Sequence, residues 1–181
     1  MRALIPELNG DRVLDLGCGA GGLSRWLIDE GAGSVLGVDP SANMLSVAKE
    51  SSMNDIEYRQ SFVEELELPD GEFDLVVSSL MFHYVDDLQA VLHDVRSWLK
   101  RDGTLVFSIE HPMTTAIQGK QPGWLKDEDG KRIGWLVDDY AIEQERVSTW
   151  FIDNVVKYHR TLASIINMLI DSGLRIDRVS E

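Results

Sequence analysis

Asp15, Gly17, Cys18, Gly19, Gly22 and, 22 residues beyond Gly17, Asp39 are the residues whose types and spacing ask for a ligand. A short apolar run carrying one acid, Val13-Leu14-Asp15-Leu16, enters a glycine-rich turn. A second apolar run, Val35-Leu36-Gly37-Val38, delivers Asp39 at its end. Glycine lets a backbone turn sharply and approach a ligand more closely than a Cβ would allow. A carboxylate at the tip of the following strand can accept hydrogen bonds from both hydroxyls of a ribose. The combination reads as a nucleoside site. A tight strand-to-helix turn without a ligand is the bland alternative, and the placement of Asp39 weighs against it.

The glycines alone leave the nucleoside open. Gly17-x-Gly19-x-x-Gly22, with an acid about 20 residues on, also satisfies the dinucleotide fingerprint. Asp15 separates the two readings. An acid two residues before the first glycine would repel a pyrophosphate, but it suits a ligand that carries an ammonium and a sulfonium.

Positioning these groups takes strands that alternate with helices. Leu23, Trp26 and Leu27 form a helical stripe that ends at Gly31, and Ser41 caps a second helix bearing Met44, Leu45, Val47 and Ala48. Residues 56–59 read as a third strand and 73–78 as a buried fourth. Leu88, Val91, Leu92, Val95, Trp98 and Leu99 mark one helix face, with Thr104 to Ile109 as the fifth strand beyond Gly103. Leu162, Ile165, Ile166, Leu169 and Ile170 define a further helix capped by Gly173, and Leu174 to Val179 reads as a sixth strand. Such alternation implies an α/β fold around a mostly parallel, doubly wound sheet with flanking helices. The whole chain, residues 1–181, reads as one domain. Residues 111–154 break its rhythm with Gly119, Pro122, Gly123, Asp127-Glu128-Asp129-Gly130 and Gly134, interspersed with Trp124, Trp135, Tyr140 and Trp150. A substrate-covering insertion is favoured there over a solvated loop, because long loops in compact domains are often binding elements.

Asp15-Leu16-Gly17-Cys18-Gly19-Ala20-Gly21 resembles the first motif of class I S-adenosylmethionine-dependent methyltransferases. Gly37-Val38-Asp39-Pro40-Ser41 with Met44-Leu45 is similar to their ribose-binding segment, and Leu68 to Ser79 to their fourth-strand motif. Leu99-Lys100-Arg101-Asp102-Gly103 resembles the entry to their fifth strand. The segments Glu110-His111-Pro112 and Lys157-Tyr158-His159-Arg160-Thr161 look like a bacterial subgroup acting on small molecules. The resemblance implies a Rossmann-like fold, S-adenosyl-L-methionine as cofactor, and methyl transfer to a small-molecule acceptor by alignment of nucleophile, methyl carbon and sulfur. It also implies a seventh, antiparallel strand and helical residues before the first strand. Only about a dozen residues precede the first strand and the chain stops at the sixth, so a form lacking terminal elements and an unusually short protein both stay open.

On the same resemblance, Asp39 binds the ribose, with Pro40 beside it. Gly17, Cys18 and Gly19 approach the aminoacyl part, and Asp15 fixes the turn or holds the ammonium through water. Met44 packs beside the adenine or ribose. Phe62 stands where the family often has an Asp, so Ser61, Phe62 and Val63 contact the ring through backbone groups and stacking. Ser78, Ser79 and His83 stand at the mouth of the site. If a base is needed, His159, at the start of the helix after the insertion, His111 and His83 are the candidates, because an imidazole titrates near neutrality. Each weighs more as a structural histidine than as a base, and His159 and His111 rank ahead of His83. Oxygen, nitrogen, carbon and sulfur acceptors all stay open, as does the oligomeric state.

Composition narrows the partners. With 31 acids against 17 bases and a net charge of −14, the chain is poorly suited to neutralising nucleic-acid phosphates. No apolar run approaches the roughly 18 residues that a membrane span needs. One cysteine and an N-terminus without an apolar leader make a cytoplasmic enzyme the economical reading. No metal cluster is read from the sequence. An oxidoreductase using NAD(P) is the second reading, and a non-catalytic S-adenosylmethionine-binding protein the third.

Overall fold

The computed structural model describes residues 1–51, 53–117, 124–148 and 154–181, so Gly119, Pro122, Gly123 and Trp150 lie outside the described residues. The chain divides into two compact units, one of residues 1–82 and 87–109 and one of residues 83–86 and 110–181.

The first unit is built on a parallel sheet. Its strands are β1 (Arg12–Leu16), β2 (Ser34–Asp39), β3 (Ile56–Gln60), β4 (Phe73–Ser79) and β5 (Leu99–Ser108), ordered β3-β2-β1-β4-β5. Near-continuous apolar runs suit strands covered on both faces, and Val13, Leu14, Leu16, Leu75, Val76 and Val77 are all buried. The helices are α1 (Gly22–Asp29), α2 (Ala42–Glu50) and α3 (Leu88–Trp98). α1 packs on β2 and β3, α2 on β2 and β3, and α3 on β5. Ser41 caps α2 as expected, its side chain accepting from the Met44 N–H. On α3 the expected stripe Leu88, Val91, Leu92, Val95 and Trp98 is the buried one. β5 starts five residues earlier than the sequence suggests, because Leu99 pairs with Phe73 before a bulge lets Thr104 pair with Leu75.

Strand order reverses between β1 and β4, so their carboxyl ends, at Leu16 and Ser78, flank the crevice where ligands bind in such sheets. A cavity of about 500 Å³ at the amino ends, lined in part by Leu8, Asp11, Asp74 and Lys100, is at the opposite end of the same strands.

The second unit holds α4 (Pro112–Thr115), β6 (Trp124–Lys126), β7 (Arg132–Trp135), β8 (Gln144–Ser148), β9 (Val155–His159) and α5 (Leu162–Asp171). β6 and β7 form an antiparallel pair, as do β8 and β9. Two sequence expectations fail here. Leu174 to Val179 forms no strand, because its apolar-polar alternation finds no ladder partner and Arg175 turns instead to Asp177 at 2.9 Å. His159 closes a strand rather than opening a helix. The β-branched pair Val155-Val156 favours extended chain, and α5 begins only after its cap, Thr161, which accepts from the Ser164 N–H. Among the described residues no helix is long and apolar enough to cross a membrane.

Candidate active site

The glycine turn is tied to the end of β2 by three hydrogen bonds, and Asp39 makes a fourth to the start of α2. The Gly17 and Cys18 N–H groups donate to the Val38 carbonyl at 2.8 and 3.0 Å. The Gly19 N–H donates to Asp39 Oδ2 at 2.9 Å, and the Ser41 N–H to Asp39 Oδ1 at 2.9 Å. Asp39 therefore fixes the turn and the start of α2 together, while each carboxylate oxygen keeps a further lone pair. Gly17 (φ +72°) and Gly19 (φ +53°) occupy left-handed backbone, but their surroundings differ. A Cβ on Gly17 would come within 2.7 Å of the Met81 side chain, whereas one on Gly19 would meet nothing within 4 Å. The turn is closed behind Gly17 and open in front of Gly19.

Asp15 is 1% exposed. Its Oδ2 accepts from the Ser24 hydroxyl at 2.6 Å, and its Oδ1 has no partner among the described residues. Burial pushes its pKa from 3.8 to about 6, against the Ser24 hydrogen bond and with a smaller upward push from Asp39. The Cys18 thiol is pushed far up, by burial first and then by Asp15 and Asp39, so it stays protonated. Ser78, fully buried at the tip of β4, has a hydroxyl without a partner among the described residues, and Ser79 beside it is exposed. On the β2–β3 side, the Ser61 N–H donates to the Asp39 carbonyl at 3.4 Å. Pro40 is exposed and its carbonyl accepts from Gln60. Met44 and Phe62 are large apolar side chains about half exposed, while Val63 is buried.

A family model for a methyltransferase domain matches residues 14–107, the stretch that contains every one of these groups. The chain belongs to that methyltransferase family. Along 99% of its length it superposes on an S-adenosylmethionine-dependent methyltransferase from Mesorhizobium loti, with TM-score 0.92, 41% identity and 81% of that chain covered. An uncharacterised protein of Haemophilus influenzae is 35% identical over the whole chain, which spans 74% of it. The malonyl-[acyl-carrier protein] O-methyltransferase of Enterobacter lignolyticus is 37% identical over 108 residues, 60% of this chain and 42% of that enzyme. The methyltransferase therefore spans less than half the length of this last relative.

S-adenosylmethionine is the cofactor of the methyltransferase, which decides against the nicotinamide alternative. The turn fits it on chemical grounds. An orphaned buried carboxylate oxygen on Asp15 suits a cationic group, and the open side of Gly19 leaves room for a ligand against backbone. Sequence reading missed Ser24, which satisfies half of Asp15, and Met81, which closes the turn behind Gly17. It also missed Leu80, held at φ +57° by its N–H on the Ser108 carbonyl. A buried acid needs a donor, and Ser24, the first hydroxyl of the following helix, is where that requirement points.

The three histidines belong to the second unit. His159 is 1% exposed and both of its nitrogens are engaged, Nε2 with the Tyr140 carbonyl at 2.9 Å and Nδ1 with the Thr115 hydroxyl at 2.8 Å. The carbonyl can only accept, so Nε2 carries the proton and Nδ1 accepts from Thr115. His111 caps α4, its Nδ1 accepting from the Met113 N–H at 3.1 Å, while Nε2 meets Glu181 at 2.9 Å. As placed, neither ring offers a free lone pair to a substrate proton. His83 is 2% exposed, packed at a tilt against Tyr84 with ring centroids at 4.2 Å, and its Nε2 lies 3.7 Å from Glu110 Oε1. Burial lowers its pKa from 6.5 to about 4, the Glu110 charge opposing this and the Lys157 charge adding to it, so the ring is neutral at pH 7. Glu110 also accepts from Lys157 Nζ at 2.5 Å, a partnership with no periodic signal in the sequence.

Proposed function

We propose that the methyltransferase is a cytoplasmic enzyme that methylates a small-molecule acceptor, with its cofactor bound along the carboxyl ends of β1 and β2. Bound S-adenosylmethionine supplies a methyl group already activated by the sulfonium charge, so the protein's task is alignment. In this reading Asp39 accepts from the ribose hydroxyls, and Gly17, Cys18 and Gly19 present backbone to the aminoacyl part. Asp15 Oδ1 faces its ammonium. Met44 and Phe62 flank the adenine, with Pro40, Ser61 and Val63 completing that side and Ser78 and Ser79 the other. One observation carries the assignment. Asp39 is anchored to the Gly19 N–H in a turn that is open at Gly19 and whose buried acid has an unsatisfied oxygen.

Two facts support a small acceptor. The net charge of −14 disfavours a polyanion. The Enterobacter relative is named a malonyl-[acyl-carrier protein] O-methyltransferase, so the group it methylates is a small acyl unit. No strong base is required of the three histidines, since two have both nitrogens engaged and the third is a weak base when buried. Calorimetry with S-adenosylhomocysteine tests the site. Asp39→Ala should weaken it about ten- to a hundredfold, the loss of hydrogen bonds to a charged group, and an unchanged affinity would remove Asp39 from the cofactor site. S-adenosylhomocysteine release measured across small hydroxyl and carboxyl compounds, with RNA alongside, tests the acceptor. Turnover with RNA alone would overturn the small-molecule reading.

A further inference from the structure

The β8–β9 hairpin is inside out. In an antiparallel pair, directly opposed residues share a face, and here Arg146 opposes Lys157 while Val147 opposes Val156. Arg146 is 5% exposed, Lys157 8%, and His159, on the same face, 1%. The two valines on the other face are 48% and 38% exposed. Two buried cations thus stand directly opposite one another, an arrangement that repels, in a chain whose net charge is −14.

It is the Arg146 charge that is left uncompensated among the described residues. Lys157 has the Glu110 carboxylate at 2.5 Å, itself 31% exposed. Arg146 has no carboxylate among the described residues. Its Nη2 donates to the Ile142 carbonyl at 2.8 Å, and Nε and Nη1 reach the Ala116 and Glu145 carbonyls at 3.4 Å. Guanidinium has five N–H donors in a planar fork that matches a carboxylate or phosphate, so carbonyls leave both charge and donors unsatisfied. A buried charge without a counter-charge is expensive, and an anion between Arg146 and Lys157 removes that cost.

We propose that the buried polar face of β8–β9 binds the anionic group of a small molecule, a carboxylate or a phosphoryl group, held by the Arg146 fork and Lys157. Glu110 then competes for Lys157 when the anion is absent.

The test is calorimetric titration of the full chain, with S-adenosylhomocysteine present, using benzoate, phenylphosphonate and the neutral benzamide as probes. At least one anion should bind about tenfold more tightly than benzamide, and which one does so identifies the source chemistry. Glu110→Gln should tighten that anion several-fold by removing the competing charge, a gain that damage to the fold does not produce. Arg146→Lys, which keeps the charge but loses the fork, should weaken it about tenfold with S-adenosylhomocysteine affinity unchanged. Equal binding of all three probes overturns the proposal, as does an Arg146→Lys variant that loses thermal stability while its anion affinity stays put. If Arg146→Lys does not fold, an unchanged affinity in Glu110→Gln overturns it instead. Failure of the wild-type protein to bind S-adenosylhomocysteine would strike the methyltransferase site, whereas its binding without any anion preference strikes the hairpin alone.

Discussion

β1 and the β8–β9 hairpin answer the same question, what to bury, in opposite ways. β1 puts Val13, Leu14 and Leu16 inside and admits one ionisable group, Asp15, bonded to Ser24 and pushed toward its neutral form. The hairpin buries Arg146, Lys157 and His159 and leaves Val147 and Val156 in solvent. Covering a valine is worth about 1.5–3 kcal/mol, and burying a charge costs several, so the hairpin is built against stability on both counts. β1 is a scaffold whose one polar group serves the turn that follows it. The hairpin's polar face leaves the Arg146 charge without a carboxylate among the described residues, and for that reason it carries the proposal of an anion site. Two substitutions at the glycine turn, one at the hairpin and a pair of titrations sharpen this contrast.

The largest effect is expected in the scaffold. Gly17→Ala forces a Cβ into left-handed backbone and within 2.7 Å of Met81. The backbone term is about 1–2 kcal/mol and overpacking adds about 1–3 kcal/mol. Gly19→Ala carries only the backbone term, because nothing lies within 4 Å of its Cβ. Urea unfolding should therefore place Gly17→Ala well below Gly19→Ala in stability, while both lose S-adenosylhomocysteine affinity. A Gly19→Ala protein that binds normally would show that the open side of the turn is not where the cofactor lies.

Much of the first unit was legible because its burial is apolar and periodic. The stripe on α3, the runs of β1, β2 and β4 and the cap at Ser41 all follow from residue type and spacing. The second unit resisted for physical reasons. Trp124 and Trp135 pair across β6–β7 with ring centroids at 4.9 Å, but the strands are three and four residues long, too short for a period to register. β8 and β9 carry a period-two alternation whose sense is reversed, so Gln-Glu-Arg-Val-Ser gives no strand signal within the expected insertion. His159 was misplaced on a helix because Lys157, Tyr158, His159 and Arg160 offer no apolar periodicity. In the candidate site the glycines and Asp39 were visible as motifs, whereas Ser24, Met81 and Leu80 come together only through the fold.

An intermediate effect is expected from His159→Leu. The imidazole bridges the Thr115 hydroxyl and the Tyr140 carbonyl, and its loss leaves the carbonyl unsatisfied while the hydroxyl keeps the Pro112 carbonyl at 3.4 Å. If the ring is a strut, unfolding free energy drops by about 1–3 kcal/mol and His159→Gln, which keeps a donor and an acceptor, recovers part of it. A variant of wild-type stability with turnover lost would make the ring catalytic and the strut assignment wrong.

The smallest effects are two opposed slopes of stability against pH, one from each region. Asp15 titrates at about 6 in the folded protein against 3.8 for an ordinary Asp, mainly through burial. The folded state therefore binds more protons than the unfolded one in that window. Its contribution is fully present below about pH 4 and is lost as pH rises through about 6. His83 runs the other way, falling from 6.5 to about 4 through burial and Lys157, with Glu110 opposing. Its contribution is present above about 6.5 and lost as pH falls through about 4. In the wild-type protein the two offset each other. Urea midpoints measured between pH 4 and 6.5 should climb more steeply with pH in Asp15→Asn than in wild type, because the falling contribution is gone and Asn still accepts from Ser24. In His83→Gln they should climb less or fall. Parallel curves for all three proteins would mean that neither group is held away from its ordinary protonation by its surroundings. The contrast between a scaffold that tolerates one neutralised acid and a second unit that keeps a neutral base beside Glu110 and Lys157 would then rest on geometry alone.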